Sequence, residues 1–339
     1  MTPAVKEPGA LMAAEVAEAP AAFARAAAAD HGPAVASLEP GAWRALYTIA
    51  RGSSDAAANV LSYEAMRETG LPVTSLPPSV FSVGRGVGLA DTAALVISQS
   101  GASDDLVRSA RGAAGQGARV LAITNVPASP VEGAAHLTLP IAAGPERAVP
   151  ATKTVVGAIA AGMSLIAALA PDYAPRARAD AAALVALAPI RHPREAAITS
   201  ALLRASHVYV IGRDTGYGAA QEIALKLKET CALHAEAYSS SEVLHGPLQL
   251  VTRPLLILIL DTGQPQVQDS LDTAEARFRQ AGGEVIRIRP SDINAPPMTP
   301  AGAAALLLCL LYPVVLATAV ALGHDPDAPA TLSKVTQTT

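Results

Sequence analysis

The chain reads as an α/β protein made of two doubly wound, parallel-sheet domains related by internal duplication. Three observations predict this. Short apolar runs that read as strands end in Gly, Ser, Asp or Thr and lead into Ala-rich helical stretches, an alternation that covers a parallel sheet with helices on both faces. The pattern occurs twice at a fixed offset: Arg51 to Arg213 is 162 positions (213 − 51), and Gly101 to Gly263 is again 162 (263 − 101). The chain has 339 residues, 51% apolar and only 3% aromatic, which suits small-residue helix–sheet packing. That length accommodates two domains of roughly 150 residues each.

In chain order, residues 1–40 form an Ala-rich helical segment in which Glu7, Glu15, Glu18 and Arg25 interrupt any signal-peptide core. Residues 41–185 form the first domain. Its first strand, residues 46–51 (LYTIAR), runs into the tip Arg51-Gly52-Ser53-Ser54-Asp55. A second strand at residues 95–97 ends in SQSG, a third spans residues 117–124, and the uncharged stretch 154–170 closes the half as an apolar helix. Residues 186–325 repeat the plan. There the strands are residues 208–213 (VYVIGR), 255–260 (ending in DTG) and 283–288, and the apolar helix is 301–323. That last stretch is long enough to cross a bilayer. Pro313 interrupts it, however, and no Lys or Arg lies within ten residues of either end, so a buried helix is expected and no membrane. The polar tail, residues 326–339, carries Lys334 and reads either as a frayed end or as a strap that returns to a site.

Composition excludes several functions. Net charge is −4 and the pI about 6.0, with no basic tract, so nucleic acid is not a partner. Cys231 and Cys309 are isolated, without CxxC, and fit a reducing, cytoplasmic setting. The seven histidines lack HxxxH spacing, so no metal site is expected.

Two motifs carry chemistry. The second strand of the first half ends in Ser98-Gln99-Ser100-Gly101-Ala102-Ser103-Asp104-Asp105. Strand, hydroxyls and glycine, then helix is anion-binding geometry: free N–H groups and the positive helix end face the ligand, and hydroxyls add donors. A simple helix cap by Ser103 would need one hydroxyl, not three. Ser53 and Ser54 at the neighbouring tip either join the same ligand or cap a helix with Asp55. No GxxxxGK[ST] or GxGxxG occurs, so a nucleotide loop is not indicated. The second half has Asp-Thr-Gly where the first has serines, so one phosphate site per chain is expected.

The second motif is EIALKLKETCALHAEAYSSSEVLHGP, residues 222–247. Glu222, Lys226 and Glu229 share one helical face by i,i+4 and i,i+3 spacing. Alone, such a face reads as surface pairs worth about 0.3–0.5 kcal/mol each. A loop follows with His234, Glu236, Tyr238, three serines, Glu242 and His245 before a Gly246-Pro247 turn. In a chain with only 16% charged residues, this density suggests acid–base work on a small polar substrate.

Together the two motifs resemble the tandem sugar isomerase (SIS) domain family, over nearly the whole chain. SQSG with its RGSS neighbour resembles the family's sugar-phosphate loop. ALKLKE…HAEAYSSSEVLHGPL resembles the isomerase half of glucosamine-6-phosphate synthase and the isomerase-type glucosamine-6-phosphate deaminases. The resemblance implies SIS-type, flavodoxin-like domains. It implies that Ser98, Gln99, Ser100 and Ser103, with Ser54 and Ser53, hold the phosphate. Glu229 matches the base that moves a proton between carbons 1 and 2, and His245 the ring-opening residue, which in the synthase enters from the neighbouring subunit. Lys226 and Lys334 match the lysines near the reacting end, with Glu222 orienting Lys226 and Glu146 lining the pocket. The departures are informative. Residue 2 is Thr where the synthase's glutaminase domain has a nucleophilic cysteine, so nitrogen transfer from glutamine by that route is not expected. The triple serine and the ending Leu332-Ser333-Lys334-Val335-Thr336 look closer to the deaminases, and SQSGASDD lacks the synthase's acidic residue after the glycine.

The expected function is conversion of glucosamine 6-phosphate to fructose 6-phosphate and ammonia by a homodimer with a shared active site. No cofactor is required, because the substrate's carbonyl or imine is its own electron sink. Two alternatives stand beside it: a ketose/aldose isomerase or deaminase of another phosphorylated amino sugar or fructosamine phosphate, and a non-catalytic phosphosugar-binding regulator.

Overall fold

The structure, a computed structural model, describes residues 7–334; Thr2, Val335 and Thr336 lie outside them. Helices α1 (Ala10–Ala27) and α2 (Gly32–Ala36) precede the first α/β unit. That unit contains β1 (Leu46–Ile49), α3 (Gly52–Thr69), β2 (Val73–Ser75), α4 (Ser79–Ser82), β3 (Ala93–Ser98), α5 (Asp104–Gly115), β4 (Arg119–Thr124), β5 (Leu137–Pro140) and α6 (Lys153–Leu169). Helices α7 (Ala174–Leu187) and α8 (Glu195–Arg204) lead to the second unit. It contains β6 (His207–Gly212), α9 (Thr215–Cys231), β7 (His234–Ser239), β8 (Leu256–Leu260), α10 (Pro265–Gln280), β9 (Glu284–Ile288) and α11 (Pro300–Ala321).

Both sheets are parallel, in the orders β2-β1-β3-β4-β5 and β7-β6-β8-β9. The winding is the same in each, the second sheet having no fifth strand. In both, the chain reverses direction beside the first strand, and the crevice at the carboxyl ends of the flanking strands is where such sheets bind ligands. The central strands β3 and β8 are buried along their whole length, which explains their unbroken apolar runs.

The edge strands β2, β5 and β7 have no such run, because one side of an edge is solvated. In β7 this corrects an expectation: residues 234–239 are strand, not loop. The backbone pairs with β6 from His207↔His234 to Gly212↔Ser239, and its polar side chains stay partly exposed. Only residues after Ser239 form the expected turn, including a short 3-10 segment at Glu242–His245.

Helix α11 is apolar on every side, and 18 of its 22 residues are buried. Such a helix belongs in an interior. It packs against α1, α3, α6, α7, α8 and α9, from both units. Among the described residues it is the one helix long and apolar enough to cross a membrane, and 83% of its apolar window is buried inside the protein. The helix runs on through Pro313, which supplies no N–H to the Cys309 carbonyl one turn earlier.

Candidate active site

Helices α3 and α9 follow the first strands of the two units and cross each other closely. Gly218 makes this possible: a Cβ there would lie 2.7 Å from the Val60 nitrogen and 2.8 Å from the Ala56 oxygen. The crossing sets the start of α3 beside the end of α9, so one cavity draws its walls from both halves of the duplication. Its volume is about 260 Å³. Ser53, Ser54, Ser98, Gln99, Ser100, Ser103, Lys226, Glu229 and Lys334 all line it.

The serine loop is rigid. Gly101 has φ +61°, and a Cβ on it would fall 2.1 Å from Ser129 Oγ, so only glycine fits the turn. Gly101 donates its N–H to Ser98 Oγ at 3.1 Å and accepts the Val131 N–H at 2.9 Å. The Gln99 carbonyl accepts the Asn125 N–H at 3.1 Å. Ser103 is the N-cap of α5, yet its side chain makes no capping bond, and the same holds for Arg51 at the start of α3. The hydroxyls of Ser53, Ser54 and Ser103 therefore do not serve as caps at these positions. The first N–H groups of α5 lack helical partners and point out of the helix start, with its partial positive charge.

At the other end of the cavity, α9 presents its polar face to the interior rather than to solvent. Glu222 and Lys226 are fully buried, which removes the surface-pair reading. Lys226 Nζ bonds the Glu229 carboxylate and lies 3.6 Å from Glu222. Tyr312 of α11 donates its hydroxyl to Glu222 at 3.1 Å. Burial pushes the Glu222 carboxyl up from 4.5 to about 7, against the pull of Lys226. Burial also works against the Lys226 ammonium, but Glu222 and Glu229 outweigh it and raise its pKa. Glu229 keeps 27% side-chain exposure and faces the cavity.

Lys334 arrives from the tail. Its Nζ lies 3.1 Å from Glu146, which also accepts the Thr152 and Thr154 N–H groups at 3.0 and 3.1 Å and the Thr154 hydroxyl at 2.7 Å. Glu146 thus stands behind the wall holding Lys334, where the sequence placed it in the lining. Two predicted groups lie elsewhere. His245 is exposed on the turn after β7 and lines no part of this cavity. His234 sits at the amino end of β7, with Nδ1 3.3 Å from that of His207, away from the carboxyl ends where the cavity opens.

The structure adds Arg51, whose guanidinium lines the serine end at 48% exposure and bonds through Nε to the fully buried Asp105. Its other nitrogens remain available beside the serines. The RGSS tip was visible in the sequence, but the Arg51–Asp105 pairing spans 54 positions and needs the fold to appear. Among the described residues no cluster of three His, Cys, Asp or Glu side chains could hold a metal ion.

Two parallel α/β units, with a hydroxyl-lined loop in one and a Glu-Lys-Glu face turned toward the same cavity in the other, define a tandem α/β-domain protein with one shared polar site. The SIS domain profile matches residues 42–168 and 201–294, and the chain belongs to the SIS domain family. A glutamine–fructose-6-phosphate aminotransferase (isomerizing) of Aeropyrum pernix is 33% identical, covering 88% of this chain and 52% of that protein. The chain spans about half the length of the curated relatives it matches. A crystal structure from Silicibacter pomeroyi DSS-3, provisionally named a phosphosugar isomerase, is 34% identical with a TM-score of 0.81, covering 93% of this chain and 99% of that one. The fold is shared with a glucosamine-6-phosphate deaminase of Thermotoga maritima, at a TM-score of 0.75 and 19% identity over 97% of this chain and 100% of that one.

Proposed function

We propose that the protein is a phosphosugar isomerase that deaminates glucosamine 6-phosphate to fructose 6-phosphate and ammonia in the cytoplasm. One observation carries the reading: a serine loop suited to a phosphate and a carboxylate suited to proton transfer line the same cavity, one from each domain. The phosphate anchors at Ser98, Gln99, Ser100 and Ser103, with Ser53, Ser54 and Arg51 beside them. Anchoring fixes carbons 1 and 2 of the open-chain sugar near Glu229, which lowers the entropic part of the barrier.

Glu229 removes the carbon-2 proton, the electron pair forms the carbon 1–carbon 2 double bond, and the carbonyl oxygen takes up a second proton, supplied by solvent water, to become an enolic hydroxyl. Return of the proton to carbon 1 generates a carbon-2 iminium. Water adds to it and ammonia leaves, giving the ketose. Lys226 and Lys334 stabilise the negative charge that develops on oxygen. The substrate's own carbonyl and imine accept the electrons throughout. Ring opening is assigned to His245 on the resemblance to the synthase, in which the matching residue enters from the neighbouring subunit, and a homodimer is proposed with it.

Purified protein is expected to release ammonia and fructose 6-phosphate from glucosamine 6-phosphate in equal amounts. Glu229→Gln is expected to lower kcat by about 10²–10⁴-fold, the usual contribution of a positioned base. A Glu229→Gln variant with full activity refutes the mechanism. Ketose formation without ammonia from another 6-phosphorylated sugar moves the substrate and keeps the chemistry.

A further inference from the structure

The tail that brings Lys334 to the cavity is fastened at a distance from it. Asp327 is 3% exposed and accepts two bonds from the first turn of α1, the Leu11 N–H at 2.9 Å on one oxygen and the Met12 N–H at 2.8 Å on the other. Its backbone carbonyl accepts the Val149 N–H at 3.0 Å, and Val149 lines the cavity. Asp325 reinforces the join, accepting the Gly9 N–H at 3.1 Å and the Asp327 N–H at 3.0 Å. Carboxylates suit a helix start, where N–H groups lack helical partners and the dipole is positive.

The same helix steadies the other wall. Glu15 accepts the N–H groups of Arg147 and Ala148, beside the Glu146 that holds Lys334, and Glu18 pairs with Lys153 at 2.5 Å. Neither α1 nor the tail lies within the residues the SIS profile matches.

We infer that Asp327 is a positioning residue: by joining the first turn of α1 to the tail and to Val149, it fixes where Lys334 enters the cavity. The inference rests on the reading of Lys334 as a cation that faces the substrate. Asp327 does not line the cavity, so it acts through the chain. Lys334 lies seven positions further along the chain (334 − 327). A freed stretch of that length reaches about 23 Å, well past the cavity.

The test uses the full chain with Asp327→Ala. Lys334 is the only Lys or Arg after Arg289, so tryptic cleavage after Lys334 reports directly on the tail. Cleavage is expected to accelerate about tenfold or more, as a locally opened segment does. Affinity for inorganic phosphate, measured by calorimetry, is expected to stay within about twofold, because the serine loop is a separate element. With glucosamine 6-phosphate, kcat is expected to fall about tenfold while KM moves less. In a Lys334→Ala background the same substitution is expected to cost less than about twofold, since the two residues act in series. Unchanged cleavage, a parallel loss of phosphate affinity, or an equal further loss in the Lys334→Ala background each overturns the inference. Absence of ammonia release in the unmodified protein defeats the substrate reading alone; cleavage and phosphate binding still decide the positioning role. Should Asp327→Ala not fold, Asp327→Asn keeps the shape, weakens both bonds and is judged by the same readouts.

Discussion

Arg51 shows what a single side chain adds to the serine end of the cavity. The serines offer neutral donors, and Asp105 places a buried negative charge close to them, so the cradle needs a cation to favour an anion. Arg51 neutralises Asp105 through Nε and keeps further donors over the cavity. Hydrogen bonds to a charged ligand contribute about 1.5–3 kcal/mol, so Arg51→Gln is expected to weaken inhibition by inorganic phosphate about tenfold or more. Equal inhibition constants in the two proteins exclude Arg51 from the anion site. Residues also mark the limit of legibility. The run from Ser98 to Ser103 is readable because hydroxyls and glycine between a strand and a helix have few other uses. The spacing of Glu222, Lys226 and Glu229 is identical on a solvated and on a buried face, so the complete burial of Glu222 and Lys226 and the opening of Glu229 onto the cavity could be learned only from what packs over them.

Among the elements, strands with a clear apolar run are legible, including the edge strand β9 with Val285, Ile286 and Ile288, whereas the edges β2, β5 and β7 carry runs too short or too polar to read as strands. The duplication also explains an asymmetry. Asp261, in the position equivalent to Gln99, accepts the Gly263 N–H at 2.8 Å, the Gln268 amide at 2.8 Å, Arg287 Nε at 2.9 Å and Arg289 Nε at 3.0 Å. In the second half the chain's own arginines and amides thus surround a carboxylate of the chain, where the first half opens its serine loop onto the cavity. Helix α3 illustrates a different cost. Its Glu64 is wholly buried, accepting the Tyr173 hydroxyl and Arg67, each at 2.8 Å. Burial pushes it from 4.5 to about 7, against the pull of Tyr173 and Arg67. Asp180, which accepts the Thr299 hydroxyl, is raised by burial from 3.8 to about 6. A carboxyl raised in the folded state stabilises fully below its unfolded value and loses that contribution as pH rises through the folded one. The contribution of these two carboxyls to thermal stability is therefore expected to decline between about pH 4 and 7, and Glu64→Gln to flatten the upper part of the decline. An unchanged slope in calorimetry contradicts this account of Glu64.

For the molecule as a whole, the cavity belongs to neither domain alone, and the position of His245 outside it bears on assembly. Two variants test whether copies share sites. His245→Ala and Glu229→Gln are each expected to be nearly inactive. After subunit exchange, half the dimers are mixed and each mixed dimer holds one intact site, so about a quarter of full activity is expected to return. No recovery, with mixed dimers demonstrated, rules out a shared site.

Helix α11 follows in chain order every helix it packs against. While the polypeptide is being made, the apolar sides of α1, α3, α6, α7, α8 and α9 await a common partner that does not yet exist. Each half can form its outer core without α11, but the interior the two halves share is completed only when α11 joins it. Closure of the shared interior therefore waits for the last 22-residue helix, whatever order the two outer cores form in.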